Sequence, residues 1–147
     1  MQLLVEYLDN YNKDWGALNR AHPADAGIDL RAAIEGSLLL LPGAYVKVPL
    51  GIRTRFEEGY EAQIRARSGL AAKRGIGLVN GVGTIDAGYR DEWAVLLYNH
   101  SVNTFVIHPG DRICQAVFNQ LPTVEIHEGP ITDDDDRGGG FGSSGVA

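Results

Sequence analysis

The chain has 147 residues, enough for one domain with a real core, and its 44% hydrophobic content excludes global disorder. A formal net charge of −6 opposes sequence-independent binding to a nucleic-acid backbone. No apolar run approaches the roughly 20 residues of a bilayer-spanning helix, and the N-terminus lacks the basic-then-apolar pattern of a secretory signal. These features predict a soluble, cytoplasmic protein with no nucleic-acid or membrane partner.

In chain order, strands are expected at residues 2–8 and 28–32, separated by a surface loop at residues 11–21 that contains Trp15 and carries no assignable role. Residues 46–56 then alternate strictly, with Val46, Val48, Leu50, Ile52, Thr54 and Phe56 on one face and Tyr45, Lys47, Arg53 and Arg55 on the other. The same alternation recurs at residues 60–67, setting Tyr60, Ala62, Ile64 and Ala66 against Glu61, Gln63, Arg65 and Arg67. Only residues 69–74 read as helical, with Ser68 as N-cap and Gly75 as terminator. Two apolar segments, residues 76–79 and 93–98, flank a glycine-rich stretch and suggest a β-hairpin. Further strands are expected at residues 92–99, 104–108, 112–118 and 123–127, with turns at Pro42-Gly43, Glu58-Gly59, Pro109-Gly110 and Leu121-Pro122. Many short strands with frequent turns define an all-β sandwich or barrel with one short helix. The composition changes after residue 131. A run of four acids, Asp133 to Asp136, precedes a stretch rich in glycine. Residues 1–131 are therefore expected to form the β domain and residues 132–147 a flexible arm.

Several segments could carry chemistry, and each also has a plain structural reading. Arg67-Ser68-Gly69 joins a strand to a helix start, where free N–H groups, a guanidinium and a hydroxyl suit a phosphate; a cap beside a surface arginine explains the same residues. In the stretch from Asn80 to Arg90, Gly81, Gly83 and Gly88 allow close approach to the main chain, whose unpaired groups could read a base edge. Asp86 could orient and deprotonate water there, and Tyr89 could pack on a sugar, or the two could be a turn former and a hairpin aromatic. Arg112 and Gln115 are expected on opposite faces of their strand, one for a ligand and one for a structural pairing. The arm lacks the Gly-Lys-Ser/Thr of a phosphate-binding loop, yet Phe141 could stack on a planar ligand while Arg137 and Ser143 hold phosphate. The lone cysteine, Cys114, lies in an apolar segment and is expected to be a buried thiol, and the four histidines show no metal-ligand spacing.

Taken in order, these segments resemble the five motifs of the homotrimeric dUTP diphosphatase family. Ala26 to Leu30 is similar to the first, Arg67-Ser68-Gly69 to the second and Asn80 to Tyr89 to the third. Gly110 to Gln115 is similar to the fourth and Arg137 to Gly145 to the fifth. The resemblance implies a jelly-roll-like β fold, hydrolysis of dUTP to dUMP and pyrophosphate, and a homotrimer whose active sites are shared between subunits. It implies that Asp86 activates the attacking water and contacts the 3′-OH, that Tyr89 packs under the deoxyribose, and that Asn80, Gly83, Thr84 and Ile85 form the uracil pocket. Arg67, Ser68, Gly69 and Gln115 would hold the phosphates, and Arg137, Phe141, Gly142 and Ser143 would close over the substrate. Asp29 matches the acid that supports Mg²⁺ through a bound water. The chain departs from the family at Asp91, where glycine is usual: a tight turn accepts aspartate, whereas a positive φ would reshape the hairpin. The related dCTP deaminase group shares the fold, but its active-site pattern is not found in the helix after Ser68. A non-catalytic trimeric regulatory module is the other alternative, set against the retention of Asp86 and the arm.

Overall fold

A computed structural model describes residues 1–132. Its strands, in chain order, are β1 (Leu4–Tyr7), β2 (Gly27–Arg31), β3 (Leu38–Leu40), β4 (Tyr45–Pro49), β5 (Ile52–Arg55) and β6 (Tyr60–Ala66). After the helix α1 (Ser68–Arg74) come β7 (Ile76–Leu78), β8 (Gly83–Asp86), β9 (Ala94–Asn99), β10 (Phe105–Ile107) and β11 (Arg112–Gln120). A four-stranded sheet, β2-β11-β6-β8, and a three-stranded sheet, β4-β9-β7, are joined by the ribbons β1-β5 and β3-β10. Leu30, Ile64 and Ala116 from the larger sheet meet Val48, Val95 and Leu97 from the smaller in one core. This is the all-β, jelly-roll-like arrangement expected from the alternation and the turns.

The apolar stripe of residues 46–56 is buried as its periodicity requires, from Val48 through Leu50, Ile52 and Thr54 to Phe56. It is nevertheless two strands. Gly51 adopts φ 68° and breaks the chain, sending β4 to pair with β9 and β5 to pair with β1. A Cβ on Gly51 would lie 2.8 Å from the Cβ of Ala33 and 2.9 Å from that of Tyr11. Gly51→Ala therefore meets both a left-handed backbone and a clash, and should cost about 2–4 kcal/mol. Gly59, at φ 81° with open space around it, supplies the control: Gly59→Ala should cost only about 1 kcal/mol, the backbone part alone. Chemical denaturation of the two variants measures the difference, and equal losses would show that packing around Gly51 is not the cause.

Three other expectations are corrected. The helix begins one residue early, with Arg67 as its N-cap in extended conformation (φ −88°, ψ 127°), while Gly75 ends it as expected at φ 66°. β7 and β9 do pair, but the glycine-rich stretch between them is not a simple hairpin loop, because residues 83–86 cross to the larger sheet and add β8 to β6. Residues 123–127 form no strand and are exposed, Val124 at 71% and Ile126 at 93%, because the chain leaves the sheet after Leu121 and meets no strand edge among the described residues.

Candidate functional site

The solvent-facing side of the larger sheet organises the predicted residues. Gln115 stands opposite Asp29 on β2 and Arg65 on β6, and Glu61 stands opposite Asp86 on β8. Since directly paired residues share a face, Asp29, Gln115, Arg65, Gln63, Thr84 and Asp86 all lie on the same side, away from the core.

At one end, Asp29 is the centre of a cationic shelf. Its Oδ1 accepts from Arg67 Nε at 2.8 Å, and its Oδ2 accepts from Arg67 Nη2 at 3.2 Å and Arg112 Nη1 at 3.4 Å. Arg67 also donates from Nη1 to the Arg112 carbonyl at 2.9 Å, which fixes the guanidinium in two directions. Arg112 and Gln115 were expected on opposite faces; a β-bulge between Arg112 and Cys114 brings both to the Asp29 side and buries Ile113 and Cys114 in succession. Gln115 lies across Gly27, where any Cβ would fall 2.1 Å from its Oε1, and its Nε2 donates to the Ala66 carbonyl at 3.0 Å. Ser68 and Gly69 are exposed at the start of α1 beside this shelf. Beneath it the Cys114 thiol is buried as expected, and burial pushes its pKa well above the ordinary range.

At the other end, β8 is the edge strand of its sheet among the described residues, so its outer N–H and C=O groups can pair with a ligand. Thr84 and Asp86 are exposed, as is Asn80 in the turn before the strand. Ile85 is buried at 8% and faces the core, so its side chain supports the strand instead of lining an open pocket. Gly83 packs on Ile64, with 3.2 Å from a would-be Cβ to the Ile64 Cβ. Asp86 accepts the Tyr89 N–H in a tight turn, and the Tyr89 ring is 39% exposed, available for packing. Asp91 sits in an exposed bend, where it acts as a turn residue, and its charge falls on Arg53.

Two supports of this turn carry no periodic signal and only the folded chain identifies them. Arg90 Nη1 donates to the carbonyls of Ala87 at 2.5 Å and Tyr89 at 3.0 Å, closing the turn from below. Tyr89 OH donates to the Glu92 carbonyl at 3.2 Å, and the Glu92 carboxylate accepts from Asn10 Nδ2 at 2.7 Å and the Gly51 N–H at 2.9 Å.

The structure does not bring the two ends together. Asp86 is level with Glu61 and Asp29 with Arg65, on strands β8 and β2 at opposite edges of the sheet. Three strand spacings and four residues of rise separate them by on the order of 20 Å. Arg137, Phe141, Gly142 and Ser143 lie outside the described residues.

Fold and site define a jelly-roll-like β domain equipped with a guanidinium shelf at one end and a readable strand edge beside an exposed aromatic ring at the other. Among known proteins, the dUTPase family model matches residues 13–145. The deoxyuridine 5′-triphosphate nucleotidohydrolase of Neorickettsia sennetsu is 46% identical over 137 residues, covering 92% of each chain. That of Chlamydia pneumoniae is 43% identical over 85% of this chain and 88% of its own. The Staphylococcus bacteriophage 80alpha dUTPase, solved with dUpNHpp, shares the fold at a TM-score of 0.84 with 24% identity, over 99% of both chains. The chain belongs to the dUTPase family.

Proposed function

We infer that this chain is a dUTP diphosphatase, hydrolysing dUTP to dUMP and pyrophosphate. The observation that carries the mechanism is the contrast between two carboxylates. Asp29 is held by two guanidiniums, whereas Asp86 is exposed at the tip of an edge strand with no cationic partner among the described residues. Asp86 is thus the carboxylate that can take a proton from water. The water oxygen then bonds to the α-phosphorus as the bond to the bridging oxygen breaks, and pyrophosphate leaves. Tyr89 packs under the deoxyribose, where a 2′-OH would collide with its ring. Asn80 and the backbone of Gly83, Thr84 and Ile85 read uracil. Arg67, Ser68, Gly69 and Gln115 hold the phosphates, with Arg67 neutralising charge as it builds on the leaving group. In the arm, Phe141 stacks on the base while Arg137, Gly142 and Ser143 close over the phosphates.

The described residues hold no cluster of three or more acids, histidines or cysteines that could form a metal cage. Asp29, engaged by Arg67 and Arg112, offers a hard cation no cage, so such an ion would keep its waters and take its direct ligands from substrate phosphates. Asp29 would support Mg²⁺ in this way, through a water. The ion, when bound, supplies further charge neutralisation to the triphosphate.

The distance between Asp86 and the arginine shelf favours a site completed by other subunits. The family resemblance supplies the number, and we assign a homotrimer with three shared sites, working in the cytoplasm. Pyrophosphate release measured across dUTP, dTTP, dCTP and UTP, with and without Mg²⁺, tests the reading. Release from dUTP alone, and dependent on Mg²⁺, is expected. Ammonia released from dCTP, or dUTP bound without turnover, would replace it with a deaminase or a binding module.

A further inference from the structure

Residues 11–21, a loop without evident purpose in the sequence, are built onto the phosphate shelf. Tyr7, Tyr11 and Trp15 pack in series, the first pair tilted and the second edge-to-face, with ring centroids 4.5 and 5.1 Å apart. Tyr11 OH donates to the Gly16 carbonyl at 2.7 Å and the Leu18 N–H donates to Tyr7 OH at 2.7 Å, so the middle of the segment, just after Trp15, is tied to the two tyrosines. A short 3₁₀ turn, Lys13–Trp15, capped by the Asn12 side chain, aims the indole at Gly110. Gly110 has φ 83°, and a Cβ there would lie 2.6 Å from Trp15 Nε1 and 2.8 Å from Cε2. Two conditions, a left-handed backbone and direct contact with an indole, therefore meet at this residue.

Gly110 is where the arginines are set. Its carbonyl accepts from Arg31 Nη1 at 2.8 Å, and its N–H donates to the Ala32 carbonyl at 2.9 Å. Two residues on, Arg112 offers its carbonyl to Arg67 and its guanidinium to Asp29. Displacement of the Gly110 turn would thus move Arg31, Arg112 and, through them, Arg67. The same segment walls a cleft of about 230 Å³ into which Asp29, Arg31 and Arg112 also face.

We propose that Trp15 is a positioning residue for the phosphate end of the site, acting through Gly110 on the arginines that its turn sets. This rests on the assignment of Asp29, Arg67 and Gln115 as the phosphate shelf. Trp15 touches none of the reacting atoms. Its effect is selective because the turn it braces carries arginines and nothing that reads the base or sugar.

The test compares wild type, Trp15→Ala and Trp15→Phe for dUTP turnover, and for binding of inorganic pyrophosphate and of dUMP by calorimetry. In Trp15→Ala, the KM for dUTP and the Kd for pyrophosphate should each rise about 10- to 100-fold, the scale expected when anchoring groups are misplaced by about an ångström. The Kd for dUMP should stay within about 2-fold, and Trp15→Phe, which keeps an aromatic backstop, should recover most of the loss. Equal weakening of pyrophosphate and dUMP would reveal general destabilisation and overturn the proposal, as would no change in either. If Trp15→Ala does not fold, Trp15→Phe against wild type carries the comparison, with a smaller but still pyrophosphate-selective loss expected. Failure of wild type to hydrolyse dUTP would instead remove the functional assignment, while pyrophosphate binding would still report on Trp15.

Discussion

Asp86→Asn should lower kcat for dUTP by about 10²- to 10⁴-fold, the range for loss of a positioned general base, while leaving the affinity for dUTP within a few-fold. The replacement is nearly isosteric and the residue is exposed at the end of β8, so stability should change by less than about 0.5 kcal/mol. The cross-strand neighbour Glu61 is the other carboxylate at this level of the sheet, and it supplies the control. Its Oε1 accepts from Gln63 Nε2 at 2.6 Å and from Asn119 Nδ2 at 3.4 Å, which ties the carboxylate to its sheet neighbours, whereas Asp86 makes no such side-chain bond among the described residues. Glu61→Gln should therefore keep most of the activity. Steady-state turnover together with binding of a non-hydrolysable dUTP analogue separates the effects. Near-normal turnover in Asp86→Asn would move the base elsewhere.

A second large effect follows from the distance between the ends of the sheet. Arg67→Met should be as inactive as Asp86→Asn, because it removes charge from the phosphates and leaves Asp29 with Arg112 alone. If each site takes Asp86 from one subunit and Arg67 from another, co-refolding the two dead proteins should restore activity. In a random one-to-one mixture, about one quarter of sites would draw both intact residues, so activity should rise from near zero to about a quarter of wild type. Activity of the mixture that merely equals the sum of the two variants would show that each chain completes its own site. Ion-exchange chromatography of the mixture, which separates assemblies by the charge difference between the two variants, confirms that hybrid assemblies have formed.

Much of the fold was legible because alternation is a local property. The buried stripes at residues 46–56 and 60–66 follow from side chains pointing to opposite faces of a strand, and Gly75 ends α1 because glycine accepts the left-handed geometry there. The site was legible as types of residue in an order, chiefly through the resemblance, and less as geometry. The bulge at Arg112 reversed the face expected for that side chain, and alternation cannot foresee an inserted residue. Core packing claimed the side chain of Ile85, which the resemblance had placed in the base pocket. Trp15, Arg90 and Glu92 act through contacts with residues distant in the chain or with backbone carbonyls, and neither leaves a periodic trace.

By itself, then, the sequence determined a β domain with a short helix, a buried thiol at Cys114, and candidate phosphate- and base-binding segments, since each depends on neighbours within a few positions. Only the tertiary structure decided that the apolar stripe of residues 46–56 splits at Gly51 between two pairings, that Asp29 is sequestered by arginines while Asp86 has no cationic partner among the described residues, and that the two ends of the site lie at opposite corners of one sheet. Those outcomes depend on which strands become neighbours, a choice made by long-range burial and register that no local window of residues contains.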